Sequence, residues 1–211
     1  MDLLKLLFWN CRGAGNNNFK RNFVEIIRTH KPEIIILMET KVPFSSMGNF
    51  FNRLGFTTST FVDPVDFEEW VLAAVYANPN PVLREKLWDD LEGVAATMSK
   101  PWLVAGDFND YANQGERQSF TSPTTSARTQ KFLERINNCN LIDLGNTGSK
   151  MTWTNNHQGL ANTMERLDRA LSNPEWRTMF PEATVRVLPR TYSDHSPLLV
   201  YTQGMHILNP T

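Results

Sequence analysis

The chain has 211 residues, 41% hydrophobic and 20% charged, a globular composition that suits one large domain or two small ones and gives enough length for a sizeable core. A net charge of −1 argues against a protein that holds nucleic acid through a general basic field, and leaves room only for a local basic patch around an acidic site. Cys11 and Cys139, without CxxC spacing, exclude a zinc site or a disulfide framework and are expected as reduced, partly buried thiols in an intracellular setting. No apolar run is long enough to span a membrane.

Along the chain, short apolar runs alternate with amphipathic stretches. Leu3–Trp9 is expected as a buried strand rather than a leader, because Lys5 interrupts it and no small-residue cleavage site follows. Asn18–Thr29 predicts a helix with Phe19, Phe23, Ile26 and Ile27 on one face, stopped at Lys31-Pro32. Ile34–Met38 is an unbroken apolar run, the pattern of a strand buried on both faces. Between 43 and 68 the pattern weakens: Phe50, Phe51 and Leu54 suggest a helical turn closed by Gly55, and Thr57–Phe61 a short strand. Trp70–Ala77 predicts a strand. The cluster Asn78-Pro79-Asn80-Pro81 makes a turn, and Pro81 opens a helix to about Met98. Trp102–Gly106 is the next strand, and the polar segment Tyr111–Thr125 a surface loop. Ser126 caps a helix with Phe132, Leu133 and Ile136 on its apolar face. The remaining strands are expected at Leu141–Leu144, Met151–Thr154, Arg166–Leu171, Thr184–Leu188 and Pro197–Thr202, with a short helix at Pro174–Phe180 and a frayed tail at Gly204–Thr211. Alternating strands and helices followed by closely spaced strands give an α/β sandwich with mixed sheets.

The polar residues fall at the ends of these strands. Asn10 follows Leu3–Trp9, Glu39 follows Ile34–Met38, and Asp107 and Asn109 follow Trp102–Gly106. Asp168 lies within Arg166–Leu171, and Asp194-His195 precede the last. Strand ends converge at one edge of a sheet, where α/β folds place their sites. A hard cation such as Mg²⁺ takes oxygen ligands, for which Glu39 and Asp194 are the candidates. Asp107 can orient or deprotonate a water, with Asn109 two residues on. His195 can donate to a phosphate oxygen, with Asp168 fixing its tautomer. Singly, each residue is more simply read as a capped turn, a strand start or a solvated loop position; their joint order is what points to phosphodiester cleavage. Arg12, Lys41, Arg166, Arg169 and Arg190 flank these positions and are expected to meet phosphates or to be ordinary surface charges. The tryptophans are expected in the core, except Trp153, a loop aromatic that can stack on a base. His30, His157 and His206 are expected at the surface.

Six segments, Trp9-Asn10-Cys11-Arg12-Gly13, Glu39-Thr40-Lys41, Val75-Tyr76-Ala77, Gly106-Asp107-Phe108-Asn109, Glu165-Arg166-Leu167-Asp168-Arg169 and Ser193-Asp194-His195-Ser196-Pro197, together resemble the endonuclease/exonuclease/phosphatase (DNase I-like) superfamily. The wording is most similar to the endonuclease domain of plant LINE-type non-LTR retrotransposons, with Asp143–Gly148 and Lys150-Met151-Thr152-Trp153-Thr154-Asn155 also in keeping. The resemblance runs over residues 3–203. It implies a four-layered α/β sandwich of two mixed sheets flanked by helices, one domain over 1–203 with the tail at 204–211, and Mg²⁺- or Mn²⁺-dependent nicking of DNA by a monomer. Such a nick would prime reverse transcription, and a chromosomal substrate would place the protein in the nucleus. It also implies roles: Asn10, Glu39 and Asp194 at the metal, Tyr76 on the phosphate, Asp107 activating the nucleophile, Asn109 orienting it, and Asp168 supporting His195. Arg12, Lys41, Trp153 and Arg166 would face nucleic acid.

The sequence also departs from that pattern. Relatives carry a longer interval between Glu39 and Tyr76, with a Gly-Gly-rich hairpin. This implies a hairpin missing between residues 42 and 69, exposed sheet edges and two alternatives to the nuclease: a catalytically silent remnant, or a phosphatase of the same superfamily.

Overall fold

The computed structural model describes residues 4–56, 65–66, 69–120 and 126–204. In chain order its elements are β1 (Lys5–Asn10), α1 (Asn17–His30), β2 (Ile34–Met38), α2 (Gly48–Arg53), β3 (Val65–Asp66), β4 (Val71–Tyr76), α3 (Pro81–Ala95), β5 (Trp102–Asp107), β6 (Arg117–Ser119), α4 (Ser126–Asn138), β7 (Ile142–Asp143), β8 (Thr147–Gly148), β9 (Trp153–Thr154), β10 (Thr163–Glu165), β11 (Asp168–Ser172), α5 (Pro174–Met179), β12 (Thr184–Val187) and β13 (Leu198–Tyr201), with short 3₁₀ turns between some of them.

Two five-stranded mixed sheets stack face to face, in the orders β2-β1-β13-β12-β8 and β3-β4-β5-β11-β7. Strand alternation builds the layers. Leu6 and Phe8 of β1 meet Leu103 and Ala105 of β5 between the sheets. Leu7 and Trp9 point the other way, onto Phe19, Phe23 and Ile26 of α1 and Phe51 of α2. On the far side, Trp102 and Val104 of β5 pack against Trp88 and Leu91 of α3 and Phe132 and Ile136 of α4. The four-layered sandwich is therefore present, each layer set by the period of its own segment.

The helix starts follow from local chemistry. The Asn16 side chain accepts from Phe19 N at the head of α1, and Lys31 closes the helix in the left-handed conformation at φ 49°. Asn80 caps α3 ahead of Pro81, and Asn173 caps α5 ahead of Pro174.

Several expectations need correction. Ile34–Met38 is a strand, but among the described residues an edge strand bonded only to β1, and four of its five residues are half-buried. An all-apolar run cannot reveal that one flank is open. Leu133 is exposed on α4. The segment Tyr111–Thr125 is not simply a surface loop: Tyr111 and Glu116 are buried, and β6 pairs with β10 in a third sheet, ordered β6-β10-β9. That antiparallel sheet and the two-residue β8 were not expected. The shortened interval after residue 42 holds α2, and β3 pairs with β4, so β4 is not left at the edge. The expected strand at Thr57–Phe61 and all but the first residue of the tail lie outside the described residues.

Gly106 has φ +142°, and a Cβ placed on it would stand 2.0 Å from the Val75 carbonyl oxygen on the paired strand β4. Gly106→Ala should lower the unfolding free energy by about 2 kcal/mol or more. A urea titration checks this, and an unchanged midpoint would show that β4 and β5 can separate at this point.

Candidate active site at the sheet edges

Register explains how distant residues meet. Asn10 ends β1 and pairs with Met38 in the parallel strand β2, so Glu39 leaves the sheet beside Asn10. Tyr76 ends β4 opposite Asp107, the last residue of the parallel strand β5. Antiparallel β11 begins with Asp168 opposite the same Asp107. Antiparallel β13 pairs Leu198 with Phe8, which brings the preceding Asp194-His195 to that edge too. Four strand ends and two strand starts thus deliver their polar residues to one rim.

The residues form a continuous network there. Asn10 Nδ2 donates to Glu39 Oε1 (2.9 Å) and Asp107 Oδ2 (3.0 Å), tying the two sheets together. Tyr76 donates its hydroxyl to Glu39 Oε1 at 2.9 Å. Asn109 donates its backbone N–H to Asp107 Oδ1 (2.9 Å) and its amide to Asp107 Oδ2 (3.1 Å) and to the Ala77 carbonyl (2.8 Å). His195 Nδ1 lies 2.9 Å from Asp168 Oδ2, and its Nε2 lies 3.7 Å from Asp107 Oδ2. Arg12 reaches both Glu39 Oε1 (3.5 Å) and Asp194 Oδ2 (3.0 Å), while Lys41 stands 3.6 Å from Glu39 Oε2. Arg12, Glu39, Lys41 and Asn109 all have positive φ, between 48° and 55°, and this strained backbone gathers at the rim.

Burial and charge tune these groups. The Asp107 carboxyl is raised well above the usual carboxylate range, first by burial and then by the neighbouring Asp168 charge. Burial disfavours the His195 imidazolium, but the Asp168 carboxylate outweighs it and, with Asp107, lifts the histidine to about 9. Burial would raise Glu39 as well, yet hydrogen bonds from Asn10 and Tyr76 and the charges of Arg12 and Lys41 hold it below its ordinary value. Tyr76 is pushed up to about 12, by burial and then by Glu39. Such opposed shifts within one cluster are common at functional sites.

Two sets of donors suit a cation differently. Asp107, Asp168 and His195 offer ligand atoms within 4.8 Å of one another, all buried. The imidazole there is already engaged by Asp168, an arrangement suited to holding a proton. Asn10, Glu39 and Asp194 offer oxygens alone, as a hard cation prefers. Asn10 Oδ1 is buried with no hydrogen-bond partner among the described residues, an orphaned acceptor on an amide whose nitrogen is bonded to Glu39 and Asp107. The second set fits the implied Mg²⁺ or Mn²⁺.

Sequence reasoning missed the clamps behind these residues. Thr152 Oγ1 accepts from the N–H groups of Leu167 (3.0 Å) and Asp168 (2.9 Å), and Ser193 Oγ donates to the Asn10 carbonyl (2.7 Å) and accepts from His195 N (3.1 Å). Both residues lay inside the quoted motifs, and only the distances show what they hold. Trp153 sits in β9 rather than a loop, half-buried, with its indole N–H given to Asp194 Oδ2 at 3.0 Å. The other five tryptophans are buried, His157 and Arg190 are exposed, His30 is half-buried, and His206 lies outside the described residues. Cys11 and Cys139 are free and buried, both raised to about 11 by burial.

Arg166 is the clearest correction. It is buried, with its guanidinium shared between Glu116 Oε1 (2.7 Å) and Asp143 (2.8 and 2.9 Å), so it does not face a phosphate. Arg169 is turned inward onto the same two acids. Burial would raise Glu116 and Asp143, but Arg169 foremost, with Arg166, holds both below their usual values. A depressed carboxyl stabilises the fold above its unfolded-state pKa and loses that contribution as pH falls through the folded value. Thermal melts should therefore show stability dropping below about pH 4, and the Glu116→Gln, Asp143→Asn pair should flatten that slope.

The Endonuclease/Exonuclease/phosphatase family model matches residues 7–195. No curated protein matches the sequence. Among solved structures, the chain is similar to a 3′ phosphatase, NExo, from Neisseria bound to a product DNA hairpin: TM-score 0.70, 16% identity, 93% of this chain and 98% of that one. An AP endonuclease from Archaeoglobus fulgidus gives 0.69, 15%, 93% and 98%. The endonuclease domain of TRAS1, a telomere-specific non-LTR retrotransposon, gives 0.59, 14%, 98% and 100%. At such identities the structures speak for the fold. No helix among the described residues is long and apolar enough to cross a membrane. With a family model spanning nearly all of it and the matching sandwich around the conjoined strand ends, this chain belongs to the Endonuclease/Exonuclease/phosphatase family.

Proposed function

We propose that residues 1–203 form one divalent-metal-dependent phosphodiesterase domain that nicks DNA, of retrotransposon origin, acting as a monomer and in the nucleus where its substrate is chromosomal. The observation that carries this is the unbroken link from Glu39 through Asn10 and Asp107 to His195 and Asp168 at one rim. Asn10, Glu39 and Asp194 would hold Mg²⁺ or Mn²⁺, which when bound neutralises phosphate charge and eases departure of the leaving oxygen. Asp107, steadied by Asn10 and Asn109, orients the attacking water and takes its proton; its raised pKa gives it affinity for that proton. Asp168 fixes the imidazole by Nδ1, leaving the His195 Nε2 proton for a non-bridging phosphate oxygen. Tyr76, exposed at the rim, Arg12 and Lys41 supply further donors and charge to the backbone phosphates. Trp153 steadies Asp194 from one side and presents its ring beside His195, at 6.5 Å between centroids.

Supercoiled plasmid with Mg²⁺ is the direct test. Relaxed, open-circle product should form, stop with a chelator and return with added Mg²⁺ or Mn²⁺. A second reading, removal of a 3′ phosphate from DNA, draws on the phosphatase among the similar structures; faster release of phosphate from a 3′-phosphorylated oligonucleotide than nicking of plasmid would favour it. A folded protein that does neither and shows no metal-dependent rise in melting temperature is the silent remnant.

A further inference from the structure

Arg12 stands where a cation has to stand. Its guanidinium bridges the two acids of the oxygen-only donor set, Nε at 3.5 Å from Glu39 Oε1 and Nη1 at 3.0 Å from Asp194 Oδ2. Its backbone is held for the task. Arg12 has φ 48° and Gly13 φ 125°, while Cys11 N donates to the Met38 carbonyl (3.0 Å) and Ala14 N to the Thr40 carbonyl (2.8 Å). Residues 11–14 are thereby pinned along the chain that carries Glu39. The acids are mostly covered, 15% and 11% exposed, whereas the arginine side chain is 42% exposed. The arginine is thus the solvent-facing member of the group. Lys41 sits at the other oxygen of Glu39.

We propose that Arg12 is a built-in counter-ion that competes with the divalent cation for Glu39 and Asp194, so that metal loading expels the guanidinium to the rim, where it meets the DNA backbone. This rests on the reading of Glu39 and Asp194 as cation donors. The guanidinium offers both carboxylates a charged partner before metal arrives, yet leaves the buried Asn10 Oδ1 without a hydrogen-bond partner among the described residues.

Mn²⁺ binding to the full chain, read from loss of the free-ion paramagnetic signal and from thermal melts with and without the ion, tests it on the wild type, Arg12→Gln and Glu39→Gln. Arg12→Gln should bind Mn²⁺ about tenfold tighter, the scale of one partly exposed charge pair. Its metal-free melting temperature should fall while its metal-bound one approaches that of the wild type. A merely structural arginine would lower both. Should Arg12→Gln not fold, Arg12→Lys keeps the charge but cannot fork across two acids, and it should still bind more tightly than the wild type. Unchanged or weaker binding in the arginine variants, with binding lost in Glu39→Gln, overturns the counter-ion role and leaves the cation site standing. No binding by folded wild type, with Glu39→Gln indifferent, overturns both.

Discussion

His195→Gln is expected to lower metal-dependent strand cleavage by about 10²- to 10⁴-fold, and Asp168→Asn by a smaller factor of about 10- to 10²-fold. Glutamine keeps most of the imidazole's volume in a site where His195 is 1% exposed, so the loss reads chemistry and not collapse. Asparagine at 168 retains an oxygen for His195 Nδ1 but removes the charge that lifts the imidazole to about 9. Stability should not follow activity at high pH. Carboxylate oxygens of Asp107 and Asp168 lie within 4.8 Å of one another across β5 and β11, and the Asp168 charge penalises the ionised form of Asp107. Neutralising Asp168 relieves Asp107 but also removes the charge that favours the His195 imidazolium, so it is above about pH 9, where the imidazolium has lost its proton, that the metal-free Asp168→Asn protein should melt no lower than the wild type. Stability held back in this way is expected of a site kept for chemistry. Cleavage assays beside thermal melts decide it. A variant that loses stability and activity in proportion would mean that the pair supports the fold alone.

The same residues show why the site was largely legible in the sequence. Leu3–Trp9, Trp102–Gly106 and Pro197–Thr202 are apolar because their strands are covered on both faces, and each stops being apolar where the chain reaches the rim. Polar residues at those points announce the edge, and Asn10, Asp107 and His195 are found there. Three kinds of feature were not legible. Of the third sheet, β9 falls within the expected strand Met151–Thr154, whereas β6 and β10, Arg-Gln-Ser and Thr-Met-Glu, are too short and too polar to carry an apolar period. Edge position is a property of the neighbour, which is why Ile34–Met38 looked interior. The direction of a charge is set by its partner: Arg12 and Arg166 flank motifs alike, yet one reaches the rim acids and the other the Glu116–Asp143 pair. Glu116, in a polar segment without periodicity, gave no signal at all.

That inward cluster carries the largest expected effect on stability. Arg169→Met should destabilise the fold by about 3–5 kcal/mol, the range for breaking a buried ion group by removing one partner. The Arg169 guanidinium donates to Asp143 Oδ2 (2.7 Å), Glu116 Oε2 (2.9 Å) and the Arg166 carbonyl (3.0 Å), and it lies 4.9 Å from the centre of the Phe132 ring. Without it, two acids face Arg166 alone, and Glu116 is only 4% exposed, so its excess charge cannot turn to water. Arg169→Lys should recover little, since a point charge cannot satisfy both carboxylates at once. Combining Arg169→Met with Glu116→Gln should recover part of the loss, because the uncompensated charge is then gone; urea titrations of the single and double variants measure the coupling. The cluster also joins β7, β11 and the turn before β6, and the next residue back from Arg169 is Asp168. A destabilised Arg169→Met protein should therefore lose cleavage even below its melting transition, as β11 loosens at the end that holds the imidazole. Full cleavage at low temperature in a protein several kcal/mol less stable would show that Thr152, through its bonds to Leu167 and Asp168, suffices to place that carboxylate alone.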